Sequence, residues 1–234
     1  AGFGPGVGRI YQLTRAGEMN IFTVLGSIVI ILALILGIVA IEEGQRRIPV
    51  QYAKRVVGRK MYGGQSTHIP LKVNQSGVIP VIFASTILML PATVAGYIDH
   101  PVTQKIARAF AAGTPVHTGL YVLLIIFFAY FYTAIQFDPN KIAGDMKKYG
   151  GFIPGLRPGR PTAEYLSRVT GRLTLSGALS LAVISVTPIL LQAIFGIDII
   201  FGGTGLIIVV GVVLETLKQI ESHMLMRNYQ GFMK

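Results

Sequence analysis

The chain contains no cysteine and no tryptophan among its 234 residues. Without cysteine there is no disulfide framework and no thiolate metal site. Charge is also scarce, at 13% of the residues, and acids are the scarcer sign: 10 against 21 basic residues, for a formal net charge of +11. The four histidines, His68, His100, His117 and His223, are scattered and none lies in an HExxH spacing. There is no GxSxG elbow and no GxxxxGK[ST] phosphate loop. No two acids share an apolar stretch, so the pairings that general acid–base chemistry needs are missing from this chain. The expectation is a protein that is not an enzyme and takes no cofactor and no metal.

What is present is apolar sequence, 52% of the chain. It is gathered into charge-free runs at 21–41, 76–98, 119–137, 173–197 and 199–214. The first four hold about 19 to 25 residues each, enough for a helix to cross roughly 30 Å of hydrocarbon. The fifth reaches that length if its helix continues through Glu215 to about residue 220. The sequence therefore predicts an all-α, polytopic membrane helix bundle with five transmembrane helices in one membrane domain over residues 1–234. The spans are expected at about 21–41, 76–98, 119–137, 173–197 and 199–220.

Lys and Arg are distributed unevenly between the connections. Segments 42–75 and 138–172 hold seven each, whereas 99–118 holds only Lys105 and Arg108. Five spans put the two basic loops and the C-terminal tail on one side, which the positive-inside rule makes cytoplasmic. The start of the chain, with Arg9 and Arg15, then lies outside. A preceding membrane region would account for that placement, so the chain is expected to be a fragment of a longer protein.

The helices carry punctuation of their own. Pro80 and Pro91 fall in the second run and Pro188 in the fourth, where each is expected to kink its helix, most simply as a packing kink. Two prolines in one span raise the odds that this helix is a moving or pore-lining element. The polar side chains at membrane depth, Ser27, Ser85, Thr86, Thr93, Ser180, Ser185 and Thr187, are all uncharged. An ion- or proton-coupled secondary transporter built from an inverted repeat, the alternative reading, would be expected to keep a charged residue there. An intramembrane enzyme would need an acid pair or histidine cluster.

The two basic loops hold most of the remaining chemical content. In 42–75, apolar Ile48, Val50, Tyr52, Val56 and Val57 alternate with basic pairs, predicting a structured hairpin or short helix. In 138–172, the stretch from Gly150 to Pro161 is rich in Gly and Pro and reads as a rigid turn, with a helix capped by Thr162 starting at Pro161–Ala163. Two such loops side by side would attract lipid headgroups, RNA phosphate or an acidic protein. They would equally satisfy the topology rule with no partner at all.

Four strings in these loops and spans, EEGQRRIPVQYAKR, GGQSTHIPLKVNQSGVIPVIFAST, FYTAIQFDPNKIAGDMKKYGGFIPGLRPGRPT and FGGTGLIIVVGV, closely resemble the C-terminal half of the bacterial SecY family, the central subunit of the Sec protein translocon. The resemblance covers essentially the whole chain in order. It implies one half of a two-half, inverted-repeat channel in the bacterial cytoplasmic (inner) membrane, moving unfolded polypeptides across and hydrophobic segments into the bilayer. The second span would be one side of the lateral gate. Ile82 and Ile208 would belong to an apolar pore ring. Lys54, Arg55, Arg59, Lys60, Lys147, Lys148 and Arg157 would dock the motor ATPase SecA and the ribosome. SecE, SecG, the translocating polypeptide, the lipid bilayer and the missing N-terminal half complete the implied partners.

Overall fold

The structure, a computed structural model, describes residues 21–52, 55–57, 60–62, 66–97, 104–105, 108–111, 113–195 and 203–231. Five long helices follow the five apolar runs: α1 (Ile21–Glu43), α2 (Ile79–Tyr97), α3 (Pro115–Gln136), α5 (Arg160–Phe195) and α6 (Gly203–Gly231). A sixth, α4 (Pro139–Lys148), follows α3 almost directly. Thr114 caps α3 by accepting from the His117 amide, with Pro115 just inside the helix. Asp138 caps α4 by accepting from the amides of Asn140 and Lys141. Among the described residues, the stretches Pro115–Lys148 and Arg160–Leu190 are long and apolar enough to cross a membrane, and Ile79–Pro91 is a shorter apolar stretch.

The helical class is joined by a small β platform built from the two basic loops. Segment 42–75 supplies β1 (Gln45–Tyr52), β2 (Arg55–Val57), β3 (Lys60–Tyr62) and β4 (Ser66–Lys72). Strands β1 and β4 pair antiparallel from Gln45↔Lys72 to Gln51↔Ser66, and β2 pairs with β3 at the tip. The second loop contributes β5 (Gly151–Phe152), which pairs with the end of β1 through Gln51↔Phe152 and Tyr52↔Gly151. The two loops are thus one structural unit. Alternation along β1 explains its seating: Ile48 and Val50 are buried while their neighbours face out.

Two cores hold the helices and the platform. One joins all five long helices, with Ile38, Val81, Ile125, Leu181 and Ile207 at its centre. The other sits under the sheet, where Ile48, Val50 and Leu71 meet Met146, Ile153, Leu166 and Val169. The second core explains why α5 starts well before its apolar run. Ala163, Leu166 and Val169 recur on one face, so the polar first turns are amphipathic rather than loop. Thr162 does not cap this helix. Helix α5 begins at Arg160, and the Thr162 hydroxyl donates back to the Arg157 carbonyl at 2.8 Å.

Helix α2 is enclosed on one side, with Pro80, Val81, Ala84 and Leu88 buried and Met89, Leu90 and Val94 exposed. It packs chiefly on α3, where Phe83 and Phe128 stack at 5.4 Å, and touches α6 only lightly. Pro80 falls in its first turn, where no helical hydrogen bond is lost, whereas Pro91 interrupts its interior. Ser85, Thr86 and Thr93 all donate to carbonyls within α2 itself.

Candidate pore constriction and docking face

The crossing of α2 and α6 is set by a glycine. A Cβ on Gly211 would stand 2.6 Å from Val78 Cγ1, so any larger residue would force the valine side chain or the helix to shift. Two further contacts tie these helices to α3. Phe83 of α2 stacks on Phe128 of α3. Tyr121 of α3 and Thr204 of α6 share a hydrogen bond at 3.0 Å. Ile82 lies four positions after Val78 and Ile208 three positions before Gly211, each within about one turn of this crossing. Ile82 is 38% exposed and Ile208 half-buried, while the adjacent Ile207 is wholly buried in the bundle core.

The expected docking residues fall into three groups. Lys147 and Lys148 end α4, exposed, where cations suit the C-terminal pole of a helix, and Lys148 lies 3.9 Å from Asp145. Arg157 is exposed on the turn between Gly155 and Gly159, both at positive φ. That turn is pinned by the Thr162 hydroxyl and by the Leu156 amide donating to the Ile153 carbonyl at 3.0 Å. Arg55 and Lys60 open β2 and β3 in the tip hairpin, in backbone position only. Lys54 and Arg59 lie outside the described residues. Because β5 pairs with the far end of β1, the Arg157 loop and the β1–β4 pair belong to one platform.

A polar cluster at the base of this platform escaped the sequence reading. Glu42, in the last turn of α1, accepts a hydrogen bond from Asn74 Nδ2 at 2.6 Å. The same amide nitrogen donates to the Gly77 carbonyl at 3.1 Å, and Asn74 Oδ1 accepts from the Ser76 hydroxyl at 3.2 Å. Burial pushes the Glu42 carboxyl above its ordinary value of 4.5; the Asn74 hydrogen bond, Lys72 and Lys218 oppose this, and Glu215 adds to it. The cluster borders a cleft of about 380 Å³ that also takes in Lys72, Gln75, Gln136, Glu215 and Lys218. The only signals in the sequence were an acid at the edge of an apolar run and a polar KVNQSG stretch before the next one. Among the described residues, no three His, Cys, Asp or Glu side chains gather in a way that would hold a metal.

Comparison with known proteins places the chain in a family. The family model for SecY matches residues 3–217. The chain belongs to the SecY family. It is 48% identical over 231 residues to the protein translocase subunit SecY of Thermus thermophilus, covering 98% of this chain and 53% of that protein. The Streptomyces coelicolor subunit is 49% identical over 235 residues, covering 96% of this chain and 53% of its own length. The chain thus spans about half the length of the curated relatives it matches. In fold it is similar to a solved protein-conducting channel, with TM-score 0.58, 18% identity, and coverage of 93% of this chain and 53% of that one. A second solved structure, of a SecY protein studied for the plug domain that keeps its channel closed, gives TM-score 0.59 at 18% identity, with coverage of 93% and 54%.

Proposed function

We propose that the chain is the C-terminal half of a protein-conducting channel subunit, passing unfolded polypeptides across the bacterial cytoplasmic membrane and releasing hydrophobic segments into it. The five helices would be its spans, with the β platform and the Arg157 turn on the cytoplasmic side. The observation that supports this reading is the close approach of Gly211 to Val78, with Ile82 and Ile208 each within about a turn of it and Ile82 left 38% exposed by the rest of the chain. An aliphatic ring there, completed by the other half of the channel, would close loosely round any polypeptide. It would also resist ions, because a narrow apolar constriction dewets. Helix α2, which leans on α3 and only touches α6, is suited to swing aside as one wall of a lateral gate.

The same reading gives the basic platform its task. Arg55 and Lys60 of the hairpin, Lys54 and Arg59 next to them in sequence, and Lys147, Lys148 and Arg157 of the second loop would receive SecA or the ribosome, which supply the energy for transport. SecE and SecG would be the membrane partners. No covalent chemistry is assigned to this half.

The test is electrical. In the channel rebuilt with its N-terminal half, Ile82→Ser removes aliphatic bulk and wets the constriction, and the resting channel should leak ions in planar bilayers. A stalled translocating chain should crosslink to probes at 82 and 208 and not to one at Leu34, which is buried in the bundle core. A tight Ile82→Ser channel, or equal crosslinking at all three positions, overturns the pore assignment.

A further inference from the structure

We propose that Glu42 and Asn74 form a clamp that fixes the base of α2, making them positioning residues for the gate; this rests on reading α2 as the gate helix. The hydrogen bond between them joins residues 32 apart in sequence and ties the end of α1 to the turn that starts α2. Asn74 is only 3% exposed, and both its amide nitrogen and its oxygen are hydrogen-bonded. The flanking backbone is held as firmly. The Val73 amide donates to the Gly44 carbonyl at 2.8 Å, and Gly177 of α5 lies so near the Val73 carbonyl that a Cβ there would stand 2.5 Å from its oxygen. Beyond that turn the hydroxyls of α2 bond only back into α2.

Glu42 is poorly placed for local stability. A carboxylate in the last turn of a helix faces the negative end of the macrodipole, and this one is also half-buried. A residue that contradicts both local rules points to a tertiary role. The charged and titratable groups around it are Lys72 of β4, Glu215 and Lys218 of α6 and Tyr132 of α3, while the start of α2 contributes only uncharged side chains to the cleft. Because β1 begins directly after Gly44 and β4 ends directly before Val73, the clamp also closes the foot of the docking hairpin.

The experiment uses the rebuilt channel with its N-terminal half, and reads resting ion leak. Glu42→Gln keeps an acceptor for Asn74 Nδ2 and should stay sealed. Glu42→Ala loses the bond and should leak several-fold more. Asn74→Asp sets two carboxylates against each other. It should leak at about pH 8 and reseal towards about pH 5, where the pair can share one proton, while the unmodified channel stays flat over that range. A helix that merely lost packing would not reseal on acidification, so the pH response separates positioning from general damage. Ile82→Ser is run alongside. If it leaks while Glu42→Ala and Asn74→Asp stay tight, the clamp is refuted and the pore reading stands. If Ile82→Ser is tight as well, the pore reading itself fails. Equal leak from Glu42→Gln and Glu42→Ala also refutes the clamp.

Discussion

Gly177→Ala isolates the packing of α5 against the turn that leads into α2. A Cβ at this position would stand 2.5 Å from the Val73 carbonyl oxygen and 3.2 Å from its carbon. Ordinary C···O contacts sit at roughly 3.3 Å or more, so helix and turn must part by close to 1 Å. No rotamer change can relieve this, because the obstacle is backbone. Overpacking of this kind costs about 1–3 kcal/mol, and replacing glycine with alanine inside a helix returns up to about 1 kcal/mol. The net loss should be about 1–2 kcal/mol, read as a fall of roughly 2–8 °C in Tm for a body of this size. Gly171→Ala, on the same helix, is the control: nothing lies within 4 Å of its Cβ, so it should be neutral or slightly stabilising. Thermal unfolding of the detergent-solubilised, reassembled channel measures both. If Gly177→Ala melts with Gly171→Ala, the close approach of α5 to Val73 does not exist in the protein and the reasoning fails.

Other outcomes follow from the same coordinates. Tyr149→Cys, 76% exposed beside the basic platform, should resist an impermeant thiol reagent in intact cells, while Ala111→Cys, in the charge-poor connection, should label; the reverse pattern refutes the orientation. Arg157→Glu should reduce SecA-driven export with Tm unchanged, because its turn is held by the Thr162 hydroxyl and not by the arginine side chain; unchanged export returns this loop to a topology signal. Glu42→Gln should raise Tm slightly at neutral pH and leave it unchanged well below pH 4.5. Burial raises the folded-state carboxyl, so its contribution to stability is present at low pH and lost as pH rises through the folded value; melting curves across that range check the sign.

The apolar runs located every long helix, because twenty residues without charge leave few alternatives to a buried or lipid-facing helix. The ends were less legible. Helix α3 starts where Thr114 and Pro115 cap it, before the run at 119, and α5 starts at Arg160, since Ala163, Leu166 and Val169 continue a helical face that a hydropathy run does not register. Helix α4 has a readable cap at Asp138 and basic residues in its last turn, yet it is too polar to appear as a run. The hairpin was foreseeable from alternation along Ile48 and Val50. The pairing of Tyr52 with Gly151 was not, because a two-residue strand has no pattern and its partner is a hundred positions away. The Glu42–Asn74 bond is hidden for the same reason: each residue looks ordinary, and the chemistry exists only once the fold brings them together.

What seats α2 follows from the surroundings in which it would work. Val81, Ala84 and Leu88 face the bundle, while Met89, Leu90 and Val94 do not. In water that second face would drive the helix inward. In a bilayer it would not, since lipid chains solvate it as well as a neighbouring helix does, and association then depends on close fit and polar ties. For α2 these concentrate at one end. The Val78–Gly211 approach and the Asn74 network lie within a few residues of each other at its base, and Pro91 breaks the backbone ladder further along. A helix fixed at its foot, weakened part-way up and indifferent to whether its outer face meets lipid or protein can tilt without losing its anchor. That is the mechanical property a gate wall requires, and here it arises from where the few polar and small residues fall in an otherwise apolar sequence.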